Sequence, residues 1–115
     1  MDNSELKIKK CISEGDYTCP IDATVKVICG KYKGIILYHL IEKTLRFNEV
    51  QKILKSATPK MVTQQLRELE RDGIVHRRVY PVVPPKTEYS LTELGRSVVP
   101  VILHMREWGI SYLER

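Results

Sequence analysis

The length and composition of the chain limit it to one small globular domain. Its 115 residues, 43% of them hydrophobic, exclude wholesale disorder and leave room for one modest core. The formal net charge of +5 comes from 19 Lys and Arg against 14 Asp and Glu. The middle of the chain is basic and its C-terminal region is neutral, so we expect one surface that faces a polyanion and another that packs.

The cysteine content and the apolar segments indicate a soluble, cytoplasmic protein with no membrane partner. The three cysteines, Cys11, Cys19 and Cys29, are an odd number without a C-x-x-C pair, which argues against a disulfide framework and favours a reducing compartment. The N-terminus has no apolar segment typical of a signal peptide. The longest apolar stretch, residues 35–41, is too short to cross a bilayer.

The first 18 residues are polar and of mixed charge, and we predict an N-terminal arm, either extended or as a short helix. A helix is predicted from residue 20 to about residue 29, because three apolar residues share one face: Ile21, Val25 and Ile28. Cys29, near the end of this helix, is expected to be buried as a small hydrophobe.

A G-K-Y-K-G turn at residues 30–34 leads into a second helix, predicted from about residue 32 to residue 43. Two glycines and two lysines resemble a phosphate cradle, but their order and spacing are not those of a P-loop. We therefore interpret the turn as a helix boundary whose Lys31 and Lys33 rest against a phosphate backbone. The second helix is apolar nearly all round, which is typical of a helix in the centre of a core.

Two further helices joined by a short link predict a helix-turn-helix. The extended pair Leu45-Arg46 precedes a third helix, from about residue 47 to residue 55, and a tight connection leads to a fourth, residues 58–72. The Thr58 hydroxyl can cap the first turn of the fourth helix, and Gly73 can adopt the left-handed conformation that often closes a helix.

The fourth helix has two chemically distinct faces. Val62, Leu66 and Leu69 recur at intervals of four and three residues and share the apolar face. The polar side, which we call the recognition face, consists of Thr58, Lys60, Thr63, Gln64 and Arg67. Lys and Arg can bind guanine edges and Gln can bind adenine, so this face suits a helix in a DNA major groove. On composition alone the alternative, a solvated amphipathic helix, is favoured, and the segment after Gly73 changes this interpretation.

The segment after Gly73 predicts a β-hairpin with a proline-rich tip, because two β-rich runs flank P-V-V-P-P. Arg77, Arg78 and Lys86 lie in or near the hairpin. A basic hairpin directly after a recognition helix indicates a wing that lies along the DNA backbone or the minor groove, and Arg46 and the turn lysines are expected to contact the backbone. The alternative is a hairpin that only covers the core.

The C-terminal segment predicts a helix capped by Thr92, with Pro100 either kinking it or dividing it in two. An apolar stripe follows coiled-coil spacing along it: Leu94, Val98, Val101, Met105, Trp108 and Tyr112. So broad a stripe exceeds what one small core can bury, so we expect a dimer interface. The organisation is then an arm (residues 1–18), a winged helix-turn-helix (residues 19–91) and a dimerisation helix (residues 92–115), a mainly α fold with a small β-hairpin.

Several of these motifs together resemble the bacterial HxlR-type transcriptional regulators, winged helix-turn-helix proteins related to the MarR group. They are C-P-I-D-A-T, G-K-Y-K-G-I-I-L-Y-H-L, R-F-N-E-V, T-Q-Q-L-R-E-L-E-R-D-G-I-V-H-R-R-V-Y-P-V-V-P-P and E-Y-S-L-T-E-L-G-R-S. The resemblance implies a homodimer that binds double-stranded promoter DNA at a pseudo-palindromic operator. It also implies a recognition helix at residues 58–72, a wing around residues 80–86, and a role for Cys19 as a thiol sensor of oxidants or electrophiles.

Two other functions, an enzyme and a protein–protein module, are alternatives to DNA binding. An enzyme is disfavoured because the chain has no nucleophile elbow, no metal-ligand spacing and no carboxylate pair placed for acid–base chemistry, and no cofactor is expected. A winged-helix protein–protein module without a DNA role is the alternative, and the recognition face argues against it.

Cys19 precedes Pro20 at a helix N-cap, where the helix dipole lowers a thiol pKa, although Asp16 and Asp22 oppose this. Without the resemblance, the preferred interpretation of Cys19 is a capping residue with no sensory role.

Overall fold

Six helices and three short strands form the described part of the chain, residues 19–115 of a computed structural model. The expectations for the arm at residues 1–18 lie outside this range. In chain order the elements are α1 (Pro20–Ile28), α2 (Lys33–Leu40), β1 (Leu45–Arg46), α3 (Phe47–Ile53), α4 (Pro59–Arg71), β2 (Val75–Tyr80), β3 (Lys86–Leu91), α5 (Glu93–Ser97) and α6 (Val99–Glu114). A mainly α fold with a small antiparallel sheet is confirmed.

The first helix packs less of its apolar face than its sequence suggests. Of the three residues predicted to share a face, only Ile28 is buried, whereas Ile21 is 75% and Val25 48% exposed. The prediction that Cys29 is buried is wrong: this residue is exposed, because α1 ends at Ile28 and the chain turns away from helical geometry at Cys29. Thus α1 offers apolar surface that the described residues do not cover.

The second helix lies at the centre of the core, as its apolar sequence predicts. Ile36, Leu37 and Leu40 are almost fully buried. The helix ends at Leu40, earlier than the predicted residue 43. The carbonyl of Ile41, directly after the helix, accepts a hydrogen bond from Nη1 of Arg96 at 2.8 Å, so α5 binds the backbone where α2 ends.

The helix-turn-helix consists of α3 and α4. The hydroxyl of Thr58 accepts a hydrogen bond from the backbone N–H of Met61 at 3.1 Å, which confirms the predicted cap. Gly73 has a φ of 77°, the left-handed conformation expected at the end of α4. The apolar face of α4 is fully buried and holds the helix on the core.

The sheet contains one strand more than the predicted hairpin, in the order β1–β3–β2. The pair Leu45-Arg46, expected as a link, forms β1 and pairs antiparallel with β3, opposite Tyr89 and Glu88. Strands β2 and β3 pair from Val75 with Leu91 to Tyr80 with Lys86, which places the proline-rich loop at the tip of the wing. The first residue of α3 therefore follows directly from the sheet.

The C-terminal segment divides in two at Val98, which confirms one of the two outcomes expected for Pro100. This proline lies in the first turn of α6, where its missing N–H leaves no bond unmade. The Thr92 hydroxyl caps α5 by accepting from the N–H of Gly95 at 2.9 Å. Within residues 19–115, no helix has the length and apolar character needed to span a membrane.

Candidate nucleic-acid interface

The polar side of α4 borders an open groove on the surface. Four residues of the recognition face line it, Lys60, Thr63, Gln64 and Arg67, and sequence reasoning missed two more, Glu68 and Arg71. The fifth member, Thr58, lies at the N-cap, where its oxygen serves the helix itself. The predicted grouping therefore lies on one face, because burial of Val62, Leu66 and Leu69 turns that face to solvent.

A second groove joins the recognition helix to the wing. It is lined by Phe47, Thr63, Arg67, Glu70, Arg77 and Tyr89. Thr63 and Arg67 belong to both grooves, so the two grooves adjoin between α4 and β2. Arg77 is the wing arginine on this side of the sheet.

The second wing arginine has different neighbours. Successive side chains of a strand point to opposite faces, so Arg78 lies on the face away from Arg77. Its guanidinium carbon is 4.7 Å from the centre of the Tyr80 ring. The two arginines that the sequence placed together are therefore presented on different sides of the wing.

A third groove lies at the base and tip of the wing. It brings together Arg46, Asn48, Lys86 and the tip residues 82–85. Val83 is almost completely exposed at the tip. Asn48, at the start of α3, lines this groove together with Arg46 and Lys86, two predicted phosphate-binding residues. Sequence reasoning did not single out Asn48.

One carboxylate, that of Glu88, partly offsets the positive charge of the wing. Glu88 of β3 lies opposite Arg46 in β1 and opposite Arg78 in β2. Its Oε2 accepts a hydrogen bond from the hydroxyl of Tyr80 at 3.0 Å. The strand pairing thus places Glu88 between Arg46 and Arg78, and its negative charge lowers the repulsion between the two arginines.

The prediction that Lys33 contacts a phosphate backbone is wrong, whereas its neighbour Lys31 is exposed. Lys33 is only 4% exposed. Its Nζ lies 3.1 Å from Oε2 of Glu68 and donates to the carbonyl of Lys26 at 3.4 Å. An ammonium enclosed by these partners cannot reach a DNA phosphate.

The cysteines differ from the expectation that all of them are reduced. Cys19 is the N-cap residue of α1, as predicted, and it is disulfide-bonded in this structure. Its side chain makes no capping hydrogen bond to α1, which disfavours a purely capping role. Cys29 carries a free and exposed thiol at the other end of the helix.

The predicted dimer stripe remains largely open to solvent. Val98 is partly buried against the core, but Leu94, Val101, Met105, Trp108 and Tyr112 are exposed. The rings of Trp108 and Tyr112 stack with their centres 5.2 Å apart. In the part of the chain described, no group of His, Cys, Asp and Glu is arranged to hold a metal ion.

Comparisons with known proteins agree with this architecture. Residues 27–115 match the family model described as HxlR-like helix-turn-helix. The chain is similar to the HTH-type transcriptional regulator YdeP of Bacillus subtilis (strain 168), with 59% identity over 97 residues, 84% of this chain and 76% of the relative.

Two solved structures of regulators share the fold. The redox regulator HypR in its oxidized form superposes with a TM-score of 0.77 at 59% identity, covering 81% of this chain and 96% of HypR. The reduced form of the transcriptional regulator YodB from B. subtilis gives a TM-score of 0.68 at 31% identity, covering 80% and 91% of the two chains.

Proposed function

Because the chain belongs to the HxlR-like helix-turn-helix family, we propose that it binds double-stranded DNA at a pseudo-palindromic operator as a homodimer. At the coarser level of the family, the chain is a transcriptional regulator of the helix-turn-helix type and not an enzyme. The observation that carries the proposal is the polar surface that Thr63 and Arg67 share between the α4 groove and the wing groove.

In the proposed complex, α4 enters the major groove. Lys60, Gln64 and Arg67 contact base edges, since their exposed side chains offer donors for guanine and a donor–acceptor pair for adenine. Positively charged residues around this helix contact phosphates: Lys31, Arg46, Arg77, Arg78 and Lys86. Phosphate contacts set the position of the helix on the duplex, and base contacts provide the sequence preference.

The proposed dimer uses the apolar stripe on α5 and α6. Trp108 is 69% and Met105 43% exposed, and apolar side chains in such a continuous band are typical of a protein interface. Twofold symmetry about α6 would place two α4 helices about 34 Å apart, one turn of DNA. This spacing is what relates the dimer to a pseudo-palindrome.

A redox response through Cys19 is a further part of the proposal. HypR, the similar structure noted above, is a redox regulator, and Cys19 is disulfide-bonded here. Closing a disulfide takes two electrons and two protons from two thiols, and an azo oxidant such as diamide accepts them. Oxidation would then change DNA affinity by altering the spacing of the two recognition helices.

Fluorescence anisotropy with labelled duplexes tests the DNA-binding proposal. A duplex selected by the protein from a random pool should bind more tightly than a random duplex. If six or more phosphates are contacted, affinity should fall on the order of a thousandfold between roughly 50 and 200 mM salt. Absence of salt-dependent binding would favour the protein–protein module instead.

The redox part needs a separate experiment. Cys19→Ser should bind the selected duplex but lose the change in affinity that diamide causes in the wild type. Cys29→Ser is the matched control, because Cys29 is a free, exposed thiol at the C-terminal end of α1, and it should respond normally. A Cys19→Ser protein that still responds would remove Cys19 from the proposal and leave DNA binding untouched.

A further inference from the structure

A polar cluster connects the turn between α1 and α2 to the middle of α4. The ammonium of Lys33 contacts Oε2 of Glu68 at 3.1 Å, and Nε2 of Gln65 donates to the same oxygen at 3.3 Å. Oε1 of Gln65 in turn accepts from the backbone N–H of Tyr32 at 3.2 Å. Two side chains of the recognition helix are thus bonded to Tyr32, the N-cap of α2, and to Lys33, its first residue.

The turn lies very close to the helix at this point. A Cβ atom added at Gly30 would lie against Oε1 of Gln65, so the end of that side chain would have to shift. Lys33 also donates to the carbonyl of Lys26 in the last turn of α1. Its buried ammonium therefore joins the start of α2 to α1 through one hydrogen bond and to α4 through one ion pair.

Glu68 belongs both to this polar cluster and to the lining of the groove on the recognition face. Its side chain keeps 27% of its exposure and borders the groove with Lys60, Gln64 and Arg67. An unpaired carboxylate here would face the phosphates of any DNA in the groove and repel them. Lys33 neutralises this carboxylate from the protein side.

We propose that Lys33 is a positioning residue for DNA recognition, which holds and neutralises Glu68 so that the α4 groove accepts a polyanion. The inference rests on the proposed DNA-binding function. It assigns to the lysine an action through Glu68 and not through a phosphate. Lys31, two residues earlier in the chain, would contact phosphate directly because it is exposed.

The experiment measures Kd for the pool-selected duplex and for a random duplex, each corrected for the folded fraction of the variant. Lys33→Met removes the ammonium, and Lys33→Met/Glu68→Gln removes both charges. Lys26→Met is the matched control, since it loses the same charge from a side chain that is 74% exposed and keeps its backbone carbonyl. Glu68→Asp keeps the carboxylate but moves it away from Nζ of Lys33, because its side chain is shorter. This variant replaces Lys33→Met in the test if Lys33→Met does not fold.

Lys33→Met should weaken binding to both duplexes by about tenfold, the effect of one uncompensated like charge near phosphates. The double variant should return to within about threefold of the wild type, Glu68→Asp should weaken binding severalfold, and Lys26→Met should change it little. A lysine with only a structural role predicts wild-type corrected Kd values for Lys33→Met and Glu68→Asp, which would overturn the proposal. A double variant as weak as Lys33→Met would also overturn it, whereas a wild type that binds no DNA refutes the proposed function itself.

Discussion

Helices α4 and α6 both carry an apolar face, but only α4 buries it within this chain. Val62, Leu66 and Leu69 of α4 are completely or almost completely buried, whereas Ile102 is the buried residue of α6 and its large apolar neighbours are exposed. In α4 the polar side is therefore free for a ligand, and in α6 the apolar side is free. The contrast separates a helix whose apolar face is covered by its own chain from one whose apolar face is exposed and is proposed to bind a partner.

Breaking the proposed α6 interface should have the largest effect. Met105→Glu places a carboxylate in the centre of the stripe, and burying it unpaired costs about 3 kcal/mol or more, so the dimer should weaken more than about a hundredfold. Sedimentation should show monomers at micromolar concentration. Glu107→Lys, on the opposite face of α6, should leave the oligomeric state unchanged. A wild type that sediments as a monomer would contradict the interface.

Truncation of the buried face of α4 should destabilise the chain itself. Leu66→Ala should lower the free energy of unfolding by about 2–5 kcal/mol, because it leaves a cavity in the core. Val101→Ala on α6, compared in the Met105→Glu monomer, should lower it by less than about 1 kcal/mol. Urea denaturation followed by circular dichroism measures both. Equal losses in the free energy of unfolding would contradict the conclusion that α4 buries its apolar face within the chain and α6 does not.

Changes on the exposed side of α4 should alter sequence preference. Gln64→Ala should lose about 1–3 kcal/mol of discrimination between the selected and the random duplex, whereas Arg78→Ala on the wing should weaken both duplexes alike. Anisotropy titrations at fixed salt provide the comparison. If Arg78→Ala reduced discrimination more than Gln64→Ala, the roles of helix and wing would have to be exchanged.

The cap of α4 should give the smallest effect. Thr58→Ala removes the acceptor for the N–H of Met61 and should lower the free energy of unfolding by about 1 kcal/mol. Thr58→Ser keeps the acceptor and should remain within a few tenths of a kcal/mol of the wild type. The measurement is the urea midpoint at constant m-value. A loss in the serine variant equal to that of the alanine variant would show that the hydroxyl is not the cause.

Local signals predicted the helices and the wing, because caps, glycines and periodicity act over a few residues. Thr58, Gly73 and Thr92 mark element ends in the structure as the sequence indicates. The turn signal of G-K-Y-K-G was likewise sufficient to separate α1 from α2.

Partners distant in the chain were not predictable in this way. The pairing of Leu45-Arg46 with β3 and the enclosure of Lys33 by Glu68 join segments more than 30 residues apart. Nothing in the turn distinguishes Lys31 from Lys33, yet one is exposed and the other buried, because only the second lies in the first turn of α2 against α4. The family resemblance, not the local pattern, carried the predicted role of Cys19.

The strand order β1–β3–β2 has a consequence for solubility. One edge of β2 is bonded to β3, and within the described sheet its other edge is unpaired. Open strand edges template association with other copies, and charged side chains are a common protection against it. Arg77 and Arg78 lie in the middle of β2, so the charges proposed for phosphate binding also keep copies of the protein apart at high concentration. Replacing both with apolar residues should therefore promote aggregation while the fold of each copy remains intact.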